Sequence, residues 1–326
     1  MISGGQKTEH QKRIYEAILN SLGPIIQRYM DDDRIVEIMV NPDGRLWIDV
    51  AGKGMEDSGH FIPFEKTESL IRLVASNSDM QCDKDSPSLS AILPISHARF
   101  QAFCPPVSEA PFFVIRKRAI AVFTLEDYVK SEILTIPQAD FLKAAVLAKK
   151  NILIAGGTGS GKTTLANAIL HEISKTGDRV FIIEDTPELQ CSGINTVHLY
   201  TRPEVGFTAQ RAVKEVLRCR PDRIIVGEVR DGSALDLLKA WNTGHSGGIV
   251  TIHANNSLLA LRRFESLISE VSVNVPRDLI ANAINVIVHI HRTKNGRIVD
   301  DISEVTDFNK TTYFLHSMND LMKDKG

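Results

Sequence analysis

Apolar positions change their period along the chain. Between Lys7 and Met30, Ile14, Ala17, Ile18 and Leu22 recur at helical spacing until Gly23-Pro24 interrupts them, which predicts a surface helix or a packing arm. Two strand-like runs in IVEIMVNPDGRLWIDV flank Asn41-Pro42-Asp43-Gly44, whose proline in second place and glycine in fourth suit a type I turn, so a hairpin is expected. FEKTESLIRLVASNSD returns to a helical period, and LSAILPISHARFQAFCPPVSEAPFFVIRKR follows in short β-like runs broken by prolines. Residues 1–118 are therefore expected to form an α+β domain. Residues 119–136 are irregular, with a short helical candidate after Thr124, and are expected to connect it to a second domain, 137–326, opened by the helix PQADFLKAAVLAKK.

The second half has another grammar. NILIAG, RVFIIED, DRIIVGEV, GGIVTIHA and INVIVHIH are short apolar runs separated by helical segments, the mark of a mostly parallel sheet covered on both faces. The tail departs from it, because Asn295-Gly296 between two strand-like runs signals a hairpin.

Composition narrows the classes. With 38 Lys plus Arg against 40 Asp plus Glu in 326 residues, the chain has no global electrostatic reason to bind nucleic acid. Cys82, Cys104, Cys191 and Cys219 stand far apart without a C-x-x-C pair, which argues against a zinc clip and a disulfide framework and for a reducing cytoplasm. No apolar stretch reaches the ~20 residues of a membrane span, and MISGGQKTEHQKR lacks the apolar core of a secretory signal.

The chemistry concentrates after Ile152. Gly156 to Thr163 satisfies G-x-x-x-x-G-K-[ST] between a predicted strand and a predicted helix, the context that motif requires. Gly157, Thr158, Gly159, Ser160 and Gly161 can turn backbone N–H groups toward a phosphate, Lys162 reaches the terminal phosphates, and Thr163, followed by Thr164, can hold Mg²⁺. RVFIIEDTPEL ends a strand in Glu184-Asp185 with Glu188 close behind, and DRIIVGEVRD ends another in Glu228. Carboxyl ends of parallel strands border the ligand crevice, so these acids are expected beside Lys162, serving the metal and the attacking water. His245 and His253 flank a buried strand in TGHSGGIVTIHANN, and further ligands at zinc spacing are wanting there.

In order, GGTGSGKTT, FIIEDTPEL, RCRPDRIIVGEVRD and TGHSGGIVTIHA resemble the Walker A, Asp, Walker B and His boxes of the secretion or traffic ATPases. EIMVNPDGRLWID, HARFQAFCPP and FVIRKR resemble the amino-terminal domain of the conjugation and type IV secretion branch, and the likeness runs from about Ile35 to about Asp307. The resemblance implies an α/β fold in which a smaller α+β amino-terminal domain precedes a RecA-like P-loop ATPase domain with a mostly parallel sheet. It implies ATP and Mg²⁺ as cofactors, Lys162 and Thr163 on phosphate and metal, Glu184 and Glu228 as metal-associated acids, and Asp185 with them in catalysis. It places His245 and His253 near the γ-phosphate or at the contact between subunits, and Arg99 and Arg116 on the nucleotide's phosphates, with Arg118 competing for the place of Arg116.

The same resemblance implies a homohexameric ring. Its partners would be inner-membrane components of a secretion or conjugation apparatus, approached from the cytoplasm at the membrane face. RIIVGEVR carries glycine where many P-loop proteins have aspartate, which leaves open how Glu228 and Glu184-Asp185 divide the work. Two other readings stand beside this one. A DNA translocase or helicase would use Arg218, Arg220 and Arg223, but no aromatic residues interleave them. A nucleotide-gated scaffold would bind ATP and scarcely turn it over.

Overall fold

A computed structural model describes residues 9–318 apart from 52, 95, 119–121, 294–295 and 310. The chain divides into two compact units, residues 1–120 and 121–326.

In the first unit, α1 (Glu9–Asp31) is bent at Gly23, whose φ of 70° and ψ of 168° are not helical. Pro24 then opens the second segment, where its missing N–H costs nothing. β1 (Ile35–Val40), β2 (Arg45–Val50) and β3 (Gly54–Phe61) follow, then α2 (Phe64–Asn77), β4 (Ser88–Ile92), β5 (Arg99–Phe103) and β6 (Phe112–Arg116). The Asn41–Gly44 turn is closed by the Gly44 N–H donating to Asn41 O at 2.9 Å, with Gly44 at φ 83°. All pairings are antiparallel, in the order β3-β2-β1-β6-β5-β4. Ile38, Val40, Leu46, Phe100, Phe113 and Ile115 face one side and pack with Ile18 and Leu22 of α1 and Leu70, Ile71 and Val74 of α2. Each such side chain contributes about 1.5–3 kcal/mol by leaving water. The alternate positions, among them Glu37, Arg99 and Arg116, lie on the opposite face.

The second unit begins with α3 (Leu125–Lys130) and α4 (Ile136–Leu147). Each starts in a capping box, Thr124 with Asp127 and Thr135 with Gln138. The expected connection is thus structured from Thr124 onward, and Leu125, Tyr128 and Leu134 belong to the core of this unit. Residues 119–121 lie outside the described residues.

β7 (Ile152–Ala155), α5 (Lys162–Ser174), β8 (Val180–Glu184) and β9 (Thr196–Tyr200) come next, then α6 (Ala209–Val216), β10 (Arg223–Val226) and α7 (Ser233–Asn242). β11 (Ile249–Ile252), α8 (Ser257–Ser269), α9 (Arg277–Ala283), β12 (Val286–Thr293), β13 (Gly296–Phe308) and β14 (Tyr313–Ser317) complete it. The sheet order is β14-β13-β12-β7-β11-β10-β8-β9, parallel from β9 to β12 and antiparallel beyond. Alternation along β7 sends Ile152 and Ile154 toward α3, α4 and α5, and Leu153 and Ala155 toward α6, α7 and α8, so both faces are covered. β12 and β13 form the hairpin expected in the tail, pairing Thr293 with Gly296, though Asn295 of the turn lies outside the described residues.

Candidate functional site

Parallel pairing sends the ends of β7, β11, β10 and β8 to one edge of the sheet, and the order β7-β11-β10-β8 decides which groups become neighbours there. From β7 the chain runs through Gly156 to Gly161 into α5. Gly159 (φ 69°) and Gly161 (φ 99°) take up the left-handed conformations that bend the loop. The cap position of α5 is Gly161 itself, with no side chain covering the first N–H groups, so that end of the helix offers donors and partial positive charge to an anion. Ser160 Oγ is buried and has no hydrogen-bond partner, a donor directed within the loop.

Lys162 is buried to 8 % exposure and donates to Gly156 O at 2.9 Å and Gly157 O at 2.8 Å. Its Nζ also lies 3.3 Å from His253 Nδ1. Since β11 is the strand between β7 and β10, His253 at its end reaches the other way too, and its Nε2 stands 2.8 Å from Glu228 Oε1. An ammonium can only donate, so His253 Nδ1 accepts and the ring proton sits on Nε2, close to the carboxylate but not aligned for a hydrogen bond with it. Burial first, then the charge of Lys162, pushes His253 below its ordinary pKa against the pull of Glu228, which favours the neutral ring. Burial likewise lowers Lys162, opposed by Glu228.

The other oxygen of Glu228 accepts from Arg230, Nε at 2.9 Å and Nη2 at 2.5 Å, and Arg230 Nη1 is 3.7 Å from Asp185. Sequence reasoning missed Arg230. Its signal was the spacing, because residues two apart on an extended run share a side.

The acidic box regroups around its loop. Glu184 is 6 % exposed and its Oε2 accepts the N–H groups of Glu188 and Leu189, both at 2.9 Å, so this carboxylate holds the 185–189 turn. Glu184 Oε1 is 3.5 Å from His198 Nδ1 on β9. Asp185 is exposed and accepts from Thr201 Oγ1 at 2.7 Å. It is Glu188 whose Oε2 meets Thr163 Oγ1, at 3.3 Å. These two oxygens suit a hard cation such as Mg²⁺, whereas Glu184, expected as a metal acid, is committed to backbone amides. Gly227 explains the unusual acid-bearing run: a Cβ there would come 3.1 Å from that of Glu184, so β10 ends close against β8.

His245 does not join this group. It precedes Ile249 at the start of β11 while His253 follows Ile252 at its end, and the four residues of β11 alone span about 13 Å. Its Nδ1 is buried without a hydrogen-bond partner at the opposite sheet edge. Arg99 and Arg116 belong to the first unit, where they pair directly across β5 and β6; Arg116 Nε is 3.6 Å from Glu37. Like charges in directly opposed positions repel, and the carboxylate of Glu37 offsets part of that repulsion.

Two cavities flank Gly157 and Thr158. One, of ≈ 480 Å³, is lined by His253, Leu259, Arg262 and Arg263. The other, of ≈ 390 Å³, is lined by Ser160, His289, His291 and Asp300. Neither Arg262 and Arg263 nor the His289 group was singled out from the sequence.

The sequence matches the family described as "Type II/IV secretion system protein" over residues 25–314. It is 45% identical over 303 residues to the "Conjugal transfer protein TrbB" of Rhizobium radiobacter, covering 92% of this chain and 93% of that one. It is 34% identical over 309 residues to the "Type IV secretion system protein PtlH" of Bordetella pertussis, covering 84% and 89%. Among solved structures, the Legionella pneumophila ATPase DotB shares the fold with a TM-score of 0.61 at 18% identity, over 94% of this chain and 84% of that one.

Proposed function

We propose that this chain, which belongs to the type II/IV secretion system protein family, is an ATPase with a RecA-like core that powers a type IV secretion or conjugative-transfer apparatus. The observation that carries the reading is the line Lys162, His253, Glu228, which joins the phosphate-directed cation to a carboxylate through one imidazole.

In this mechanism the loop amides, Ser160 and the open end of α5 bind the β- and γ-phosphates, and Lys162 turns from the loop carbonyls to them. Thr163 and Glu188 would hold Mg²⁺, which neutralises charge on the phosphate oxygens when bound. Glu228, fixed by Arg230 on one oxygen, orients and deprotonates water with the other, which makes no hydrogen bond and is free to accept from it, and His253 lies between that oxygen and Lys162. Glu184 keeps the 185–189 turn in register so that Glu188 stays beside Thr163. Arg99 and Arg116 are assigned to the nucleotide's phosphates, where guanidinium contacts would be lost with the γ-phosphate after hydrolysis.

We further assign a homohexameric ring, cytoplasmic and peripheral at the inner-membrane face, acting with membrane components of the apparatus. Among the described residues no helix is long and apolar enough to cross a membrane. The relatives' names, conjugal transfer and type IV secretion, support the process. Phosphate release measured beside native mass, with and without ATP, tests the reading. Mg²⁺-dependent turnover in a sixfold assembly is expected, with Lys162→Ala at least about 100-fold slower. ATP binding without turnover would leave the scaffold reading instead.

A further inference from the structure

A second cluster of metal-ligating atoms lies beside the phosphate loop and has no part in the mechanism above. His289 and His291 are two residues apart on β12 and therefore share a face. Opposite them the β12–β13 register shifts: His289 pairs with Asp301 and Ile290 with Val299, leaving Asp300 as the extra residue of a bulge. Such bulges re-aim a side chain, and this one turns the Asp300 carboxylate onto both imidazoles. His289 Nδ1 is 2.6 Å and His291 Nδ1 3.3 Å from the same oxygen, Asp300 Oδ1.

The next residue keeps the bulge in place. Asp301 accepts from the hydroxyls of Ser257, Ser303 and Ser317, so its carboxylate is committed elsewhere. His291 Nδ1 is itself buried and makes no hydrogen bond, although Asp300 Oδ1 stands 3.3 Å from it.

We propose that His289, His291 and Asp300 form a binding site for a divalent cation of the zinc class, facing the cavity beside Gly157, Thr158 and Ser160. The three ligand atoms lie within 4.8 Å of one another. Metal–ligand bonds of about 2.0–2.2 Å in a tetrahedron require ligand atoms about 3.3–3.5 Å apart. His291 and Asp300 already stand at 3.3 Å, and the hydrogen-bonded His289 must withdraw by less than about 1 Å. Two imidazoles and one carboxylate select zinc, cobalt or nickel over Mg²⁺, which prefers oxygen alone, so the site is distinct from the one at Thr163. Three protein ligands leave a coordination position open toward the ≈ 390 Å³ cavity, which is also the route of entry.

The test uses the full chain without nucleotide and in excess Mg²⁺, which occupies oxygen-only sites. Zn²⁺ is titrated by calorimetry, and Co²⁺ by its visible absorption, whose strength distinguishes tetrahedral from octahedral coordination. One equivalent is expected, with tetrahedral Co²⁺ absorption. His291→Gln and Asp300→Asn, both at half-exposed side chains and checked for an unchanged thermal melt, should weaken Zn²⁺ binding by about 100-fold or more, since even outer-shell partners cost 10–100-fold. Wild-type affinity in both variants overturns the assignment. So does a wild-type chain without a saturable site or with octahedral Co²⁺ only, which would mean that the trio is a hydrogen-bonded cluster.

Discussion

Replacing Glu228 by glutamine isolates the catalytic proton, because in neither orientation can an amide serve both of the carboxylate's partners. Oε2 accepts from Arg230 at 2.9 and 2.5 Å, and Oε1, which makes no hydrogen bond, lies 2.8 Å from the protonated Nε2 of His253. If the amide nitrogen faces Arg230, donor meets donor and the charge-assisted pair is lost. If it faces His253, the imidazole must move its proton to Nδ1, where the Lys162 ammonium stands at 3.3 Å. Arg230 is 60% exposed, so solvent screens the lost pair and its effect on stability should stay below about 1 kcal/mol. Turnover should fall far more. Loss of the general base is worth about 100-fold or more, equivalent to at least about 2.7 kcal/mol of barrier, while ATP affinity changes little because no phosphate contact is removed. Steady-state phosphate release across ATP concentrations gives kcat, and a fluorescent nucleotide titration gives affinity. A variant that keeps more than about a third of wild-type kcat refutes the assignment.

Glu184→Ala should act on stability, since two backbone N–H groups lose a buried carboxylate; a loss of about 3 kcal/mol is expected in chemical denaturation, while Glu184→Gln keeps an acceptor and most of the stability. Should Glu184→Gln instead abolish turnover with the fold intact, the two acids exchange roles. Arg99→Ala and Arg116→Ala should each slow hydrolysis or weaken nucleotide binding tenfold or more, at about 1.5–3 kcal/mol per charge-assisted contact, with lysine restoring part; unchanged kinetics in both removes them from the site. His253 binds its proton more weakly in the folded chain than at the ordinary value of 6.5, so its contribution to stability is present above that pH and is lost on acidification below it. Urea melts of wild type and His253→Gln across pH should therefore show wild type losing ground only on the acid side; a wild-type gain there contradicts the neutral ring.

The elements legible in the sequence are those whose periodicity comes from burial. β7, β8, β10 and β11 are buried along their whole length and read as apolar runs. Two edge strands escaped notice: β9 is half-buried at every position, and β3 is mostly exposed, so burial imposes no clear apolar pattern on either. In the site, each box could be found alone, but the placing of His253 between Lys162 and Glu228 follows from β11 lying between β7 and β10, which is strand order and not spacing. His245 shows the converse: the strand between it and His253 was legible, and its length is what keeps the two imidazoles at opposite ends of β11. Asp300 could not be grouped with His289 and His291, because only a register shift between paired strands brings it there.

The first glycine of the phosphate loop has a second employer. A Cβ at Gly156 would lie 2.3 Å from Ile290 O on β12, and one at Gly161 would lie 2.9 Å from Arg297 Cδ on β13. The loop is therefore not a cassette that could be grafted alone onto another scaffold. In a library randomised at 156 and 161, survivors would be filtered first by collision with the neighbouring ribbon, before any nucleotide had a vote. Inheritance of the loop and of the β12–β13 ribbon is thus linked by sterics: a lineage that shifted the ribbon would still meet Ser160 Oγ, 2.5 Å from the same Cβ, and one that kept it would hold the glycine even after catalysis had been lost.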